Sequence, residues 1–232
     1  IVFLALACIA SCSSNEIGNS KDVSPDTVFM DYTISYDNND DSVHCFLQYR
    51  FAGENGTTLL LTPPSEVSID GELIEVDSSD FSGAYYERKF AAKDFAGDHI
   101  IVYKNNEGKM YEELFNFHLL RCKEIPRYIS NHDMEISIQG AEMNDEISIS
   151  ITDTAQSTED IELKNILAGK SVIIPIQKLR QLSNGPLDIE IIQARVTHLK
   201  NATPEGGRLQ YLYTIKKKKV EWNNTEDTYS KQ

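Results

Sequence analysis

Apolar and polar residues alternate along most of this chain with the two-residue period of half-buried strands. Val28, Met30, Tyr32, Ile34 and Tyr36 share one parity, and so do Val43, Cys45, Leu47, Tyr49 and Phe51. The pattern predicts strands over 28–36 and 42–51, joined by an Asp/Asn turn at 37–41, then a short strand at 58–61. Asp70-Gly71 separates 66–69 from 72–76, and that dipeptide supplies the positive φ angles of a tight hairpin. Strands over 84–90, 99–104 and 109–117 complete a first series, with 105–108 linking the last two. A basic, proline-containing seam at 121–128 precedes a second series: 134–138, 146–151, 161–163, 171–176, 187–199 and 208–222. Residues 177–182 read as one helical turn and 200–207 as a hairpin loop. Helical spacing is nowhere sustained.

One sub-pattern occurs twice. A strand ending at Phe90 leads through Phe95, Ala96 and Gly97 into the strand from His99. A strand ending at Ile176 leads through Leu182, Ser183, Asn184 and Gly185 into the strand from Leu187. Each reads strand, apolar plug, glycine, strand. The glycine permits a sharp reversal, and the plug closes the open end of a sandwich. This resembles the crossing between sheets in immunoglobulin-like domains, and a count of about seven strands per half agrees with it. The expected fold is mainly β: two tandem immunoglobulin-like β-sandwich domains at 27–123 and 124–222, then a polar tail at 223–232.

The start of the chain changes the picture. IVFLALACIASCSS carries no charge, and its apolar run falls short of the roughly 20 residues that span a bilayer. It fits the apolar region of a signal peptide. Ile9, Ala10 and Ser11 precede Cys12 in the manner of a lipobox, whereas Cys8 has a bulky Leu6 where a small residue is preferred. Residues 1–11 are therefore expected to be a lipoprotein signal truncated at its start, and 12–26 the lipidated Cys12 with a flexible tether. An ordinary cleaved secretory signal and an apolar N-terminal strand are the alternatives. The Cys-Ser-Ser start, the polar tether and the two β modules together resemble the small secreted lipoproteins of Bacteroidetes. That resemblance implies export and lipid anchoring to the outer membrane, facing the periplasm or the surface. Surface-displayed members often carry an acidic cluster after the lipidated Cys, and here only Glu16 is acidic there.

Charge and chemistry narrow the function. With 36 acidic against 22 basic residues, the formal charge of −14 repels nucleic acid. Beyond the signal, Cys45 and Cys122 remain, and an exported compartment permits a bridge between them. Parity points Cys45 inward but sets Cys122 against Phe115, Phe117 and Leu119, so a bridge needs a bend near Leu120. Free thiols are the alternative. Asp37, Asn39 and Asp41 place oxygens at alternate positions, as a loose calcium loop does, although Ser42 and Gln48 break the EF-hand pattern. The alternative is an Asx-rich turn. The five histidines, His44, His99, His118, His132 and His198, are scattered and read as surface residues. There is no GxSxG or HExxH, and neighbours such as Glu112 and Glu113 point to opposite faces of a strand. No catalytic residue, resident metal or cofactor is expected. The lysines at 216–219 suit a sheet edge, where charge blocks edge-to-edge pairing, with a polyanion or membrane-surface contact as the alternative. The expected function is a non-enzymatic binding or structural module, anchored to a membrane by lipid, for a protein or glycan partner. A hydrolase-like site formed only on folding and an accessory subunit of an envelope or pilus assembly are the alternatives.

Overall fold

Nearly all the alternating segments are strands in the computed structural model, which describes residues 16–79, 82–123, 125–129, 131–140, 145–153, 160–167 and 171–224. The first half holds β1 (Ile17–Asn19), β2 (Val28–Asp37), β3 (Ser42–Phe51), β4 (Thr57–Leu60), β5 (Glu66–Ile69), β6 (Glu72–Leu73), β7 (Val76–Ser79), β8 (Gly83–Ala91), β9 (Gly97–Lys104) and β10 (Met110–Phe117). The second holds β11 (Arg121–Cys122), β12 (Tyr128–Ile129), β13 (Met134–Ile136), β14 (Ile138–Gln139), β15 (Glu146–Asp153), β16 (Ile161–Leu167), β17 (Val172–Ile174), a four-residue helix α1 (Ile176–Leu179), β18 (Gly185–His198) and β19 (Gly207–Trp222). The protein is mainly β, as its alternation predicts.

The main sheet runs β1-β4-β3-β2-β19-β18-β15-β16, with β8 on β3 and β7 on β8. It passes without a break across the seam at 121–128, because β19 lies parallel to β2 from Gly207 beside Met30 to Thr214 beside Asp37. Parallel neighbours need a long crossover, and here almost the whole intervening chain serves as one. A second sheet, β10-β9-β5-β6, packs on the first-half end of the main sheet. Tyr49 meets Tyr103 at 4.4 Å between ring centroids, Phe117 meets Tyr213 at 5.5 Å and Phe115 meets Tyr211 at 6.4 Å. Two facing sheets with such contacts form a β-sandwich. The buried side chains form one continuous cluster, and at its other end a second core gathers Ile147, Ile149, Ile151, Leu187, Ile189 and Ile191 with Met134, Ile136 and Ile174 from the β13–β17 pair. Leu179, Leu182 and Trp222 join the same buried cluster.

One strand therefore serves both cores, and its parity must change between them. Leu209, Tyr211, Tyr213 and Ile215 are buried at odd positions, Val220 and Trp222 at even ones. The change is a β-bulge. Lys217 sits opposite Ile189 and Val220 opposite Leu187, so Lys218 and Lys219 share Asp188. Lys219 takes φ 58°, and its backbone N–H donates to Asp188 Oδ1 at 3.1 Å.

The repeated plug motif has repeated geometry. Phe95 and Leu182 are 1% and 4% exposed, and Gly97 and Gly185 both adopt φ 127°. Elsewhere the structure departs from the sequence reading. The Asp70-Gly71 hairpin forms between β5 and β6, but the expected 72–76 strand stops at Leu73, and Val76 begins β7 in the other sheet. The expected tether contributes β1, paired in parallel with β4, and Ser20 is 2% exposed. β19 is an interior strand rather than an edge. The lysines nevertheless fall in the gap between β2, which ends beside Thr214, and β12, which begins beside Glu221. Asn38 bridges that gap with both side-chain atoms: Nδ2 donates to Lys216 O at 3.0 Å, and Oδ1 accepts from Lys216 N at 2.7 Å.

A charged latch fixes β19 against β2. Asp31 is 8% exposed, and Arg208 grips it with both prongs, Nε to Oδ1 at 2.7 Å and Nη2 to Oδ2 at 3.0 Å. Arg50 Nε approaches the same carboxylate at 3.5 Å. Bidentate charge-assisted pairs of this kind specify geometry as well as adding energy.

Candidate binding site

At the side of the first sandwich two strands end their sheets. β10 pairs only with β9, and β18 beyond Gln193 pairs only with β19, among the described residues. In an antiparallel ladder, alternate residues turn both backbone groups to one partner. Asn105 N donates to Lys109 O, so 111, 113, 115 and 117 face β9, leaving the N–H and C=O of Glu112, Leu114 and Asn116 toward the open side. Leu199 N donates to Gly207 O, which by the same alternation leaves those of Ala194, Val196 and His198 open. Leu114 and Val196 are 66% and 56% exposed.

Between these edges lies a shallow cleft of about 240 Å³ lined by Glu113, Asn116, Arg195, Thr197, His198, Lys200 and Tyr211, among others. Glu113 is 4% exposed, and its Oε2 accepts the backbone N–H of Lys200 at 2.9 Å. A buried carboxylate requires such a donor. The Arg195 guanidinium lies 4.5 Å over the Tyr211 ring. The cleft thus offers an aromatic–guanidinium platform, a fixed carboxylate, an imidazole, the Thr197 hydroxyl, the Lys200 amine and two strand edges that are unpaired among the described residues. Such groups can hold a ligand by stacking, charge and backbone hydrogen bonds. Sequence reasoning missed them because Glu113 and Arg195 meet only through the return of β18. One signal was readable: the inward parity Leu187, Ile189, Ile191 turns polar at Gln193, Arg195 and Thr197.

The residues singled out from sequence lie elsewhere. Cys12 falls outside the described residues. Cys45 is buried on β3 and Cys122 half-buried on β11, and both thiols are free rather than bridged. Burial pushes both upward, Cys122 to about 11, so neither is poised as a thiolate. Asp37, Asn39 and Asp41 form a turn that satisfies itself. Asp37 Oδ1 accepts Asn39 N at 2.8 Å, and Asp41 Oδ1 accepts the Tyr36 hydroxyl at 3.3 Å. Their neighbour Asp40 is held down to about 2 by Lys89 and Ser42. Among the described residues no three His, Cys, Asp or Glu side chains converge as metal ligands do. The surface reading of the histidines fails for His99, whose side chain is 10% exposed. Its Nε2 lies 2.7 Å from Phe95 O and its Nδ1 2.8 Å from Asp70 Oδ2, and its ring stacks on Phe95 at 3.9 Å. It belongs to the plug.

No family model matches the chain, and no curated protein matches it. Among solved structures it is similar to a 1.5-MDa bacterial ice-binding adhesin, with 13% identity, 88% of this chain and 67% of that one covered, and a TM-score of 0.27. It is similar to Tp47, the 47-kilodalton lipoprotein of Treponema pallidum, with 10% identity, coverage of 82% and 51%, and a TM-score of 0.33. It is also similar to SGBP-B of a Bacteroides ovatus mixed-linkage glucan utilization locus, solved with a mixed-linkage heptasaccharide, with 11% identity, coverage of 79% and 53%, and a TM-score of 0.23. The chain spans about half of the last two. With identities this low, the functional reading rests on the chain's own residues.

Proposed function

We propose that this chain is an exported envelope lipoprotein, tethered through a lipid on Cys12, whose β body binds a protein or glycan partner and catalyses no reaction. The observation that supports the binding role is the side cleft, with Arg195 laid on Tyr211, Glu113 fixed at its floor and a free strand edge on either side. An extended segment laid along the β18 edge would gain backbone hydrogen bonds at Ala194, Val196 and His198. The same edges, with Leu114 and Val196 exposed between them, favour a second reading, an accessory subunit of an envelope assembly that receives a neighbour's strand.

Photo-crosslinking amino acids placed at Leu114 and at Val196 in intact cells test both. Crosslinks to one partner from both positions, lost with Arg195→Ala, are expected. No crosslink from either position, together with turnover of a substrate by the purified protein, would replace this reading with an enzymatic one. Fatty-acid labelling of the protein, abolished by Cys12→Ser, is expected if the tether reading holds.

A further inference from the structure

The docking of β1 decides which end of the body meets the membrane. β1 lies parallel to β4, with Ile17 beside Thr58 and Asn19 beside Leu60, and β4 runs antiparallel to β3 with Thr57 beside Phe51. The chain therefore enters the body at the end where β3 stops and where β2 and β19 start. The segment after β1 is held at that end as well. Asn106 Nδ2 donates to Ser20 O at 2.8 Å and to Val23 O at 3.3 Å, and Glu205 N donates to Asp26 O at 3.1 Å. The turns at 20–27, 105–109 and 200–206 are thus gathered beside Ile17. Three large apolar side chains, Ile17, Phe51 and Met110, are exposed there, Met110 standing beside Lys104 at the foot of the 105–108 turn.

We infer that this end of the first sandwich rests on a zwitterionic bilayer surface, with Ile17, Phe51 and Met110 at headgroup level and the second module held away from it. The inference rests on the lipid tether proposed above and adds the face and the class of lipid. Chain length carries the first part. Only five residue steps lead from Cys12 to Ile17, a reach of at most about 18 Å. A tether free as far as Val28 would reach about 58 Å, comparable with the roughly 50 Å of β19, and either end of the body could then meet the bilayer. With β1 docked, only the end that holds Ile17 can. Charge carries the second part. The molecule is at −14 overall, yet the exposed charges of the three turns nearly cancel, Asp22, Asp26, Glu107 and Glu205 against Lys21, Lys109 and Lys200. This end is therefore little repelled by a neutral surface, and it has no basic cluster to draw anionic headgroups. Exposed apolar side chains beside a lipid anchor suit the interface between headgroups and acyl chains.

Acylated protein reconstituted into phosphatidylcholine vesicles that carry a headgroup nitroxide tests this through tryptophan emission. Trp222 is buried at the far end of β19 and gives the baseline. Phe51→Trp and Met110→Trp each add a tryptophan at the inferred contact, and Tyr128→Trp adds one beside Glu221, at the far end. All three positions are exposed, and an unchanged denaturant midpoint verifies the fold of each variant. The nitroxide is expected to cut the emission added at 51 and at 110 at least two-fold and to leave that added at 128 unchanged. Replacing the phosphatidylcholine by phosphatidylglycerol should make the quenching no stronger. Equal quenching at 128, no quenching at 51 and 110, or stronger quenching on phosphatidylglycerol would each overturn the inference. Fatty-acid labelling separates the two claims. Labelled protein that shows no quenching at 51 and 110 removes this orientation and leaves the tether standing, whereas wild-type protein that takes up no label removes both.

Discussion

The first core is built on tyrosine and phenylalanine, the second on isoleucine and leucine. Tyr32, Tyr49, Tyr86, Tyr103, Tyr111, Phe95 and Phe117 crowd the first, all at most 3% exposed. In the second, Ile147, Ile149, Ile151, Ile174, Ile189 and Ile191 are each at most 1% exposed, and Trp222 is the one large aromatic among its described residues. Aromatic rings fill a wide sandwich with few side chains, but each tyrosine brings a hydroxyl that must find a partner or go without. Tyr32 and Tyr49 join their hydroxyls at 3.3 Å, and the Tyr86 hydroxyl accepts Leu61 N at 2.7 Å, whereas the Tyr111 hydroxyl is buried without a hydrogen-bond partner among the described residues. The second core carries this liability at Trp222, whose Nε1 is likewise buried without a hydrogen-bond partner among the described residues, and not at its isoleucines and leucines. It follows that the two cores should respond differently to pH and to truncation, while β19 forces them to share the consequences.

The largest expected effect is alkaline. Burial raises Tyr86 to about 12 from 10.0, and it raises Tyr32, Tyr49 and Tyr103 as well. A raised phenol favours the neutral form in the fold. The stability it contributes is complete below pH 10 and is lost as pH climbs through the folded values. Two pK units correspond to about 3 kcal/mol for Tyr86 alone, and the others act in the same direction. In a spectrophotometric titration, the buried phenols should ionise together with loss of the near-ultraviolet tyrosine signal between about pH 10 and 12. Smooth ionisation of every tyrosine near pH 10 in the folded protein would break the contrast between the cores.

Next in size is Trp222→Ala. Emptying that site should cost about 3–5 kcal/mol, as large-to-small changes do in well-packed cores. Because β19 also carries Tyr211 and Tyr213 against Phe115 and Phe117, the loss should lower the denaturant midpoint read from the tyrosines of the first core. An unchanged tyrosine transition would show that the cores melt independently in spite of the shared strand.

Arg208→Ala is expected to cost about 2 kcal/mol, because it strips a buried carboxylate of its bidentate partner while Arg50 keeps a weaker hold. Charge on Asp31 is what makes the change expensive, so adding Asp31→Asn to Arg208→Ala should recover part of the loss. No recovery in the double variant would mean that the latch works by packing and not by charge.

Much of this was legible in the sequence, and the parts that were not have a physical cause. The inward rows of β2, Val28 to Tyr36, and of β3, Val43 to Tyr49, follow from parity alone, and only Phe51 at the end of the β3 row emerges, 40% exposed, where the strand leaves the core. The return of β19 to β2 could not be read, because pairing between residues nearly 180 positions apart leaves no local signature. The run of lysines concealed the bulge. A change of parity shows only when both flanking rows, ending at Ile215 and resuming at Val220, are assigned to different cores. The side cleft was hidden for the same reason as the pairing: Glu113 lies on one edge strand and Arg195 on another.

The smallest expected effect bears most directly on whether the two halves are variations on one plan. Gly97 and Gly185 both sit at φ 127°, and a Cβ added at either would meet nothing within 4 Å. A substitution there is therefore a measure of backbone strain uncomplicated by crowding. Gly97→Ala and Gly185→Ala should each cost about 1–2 kcal/mol, and by nearly equal amounts, because the conformation rather than the neighbourhood sets the penalty. Equality would be notable given how unlike the neighbouring plugs are. Phe95 stacks among rings, with Phe117 at 5.3 Å and Phe90 at 4.5 Å, whereas Leu182 closes an aliphatic core. Matched denaturant midpoints for the two variants would support one crossing built twice with different side chains. A cost confined to Gly97 would place the requirement in the aromatic plug, and the repeat would then be a likeness of sequence without a shared mechanical reason.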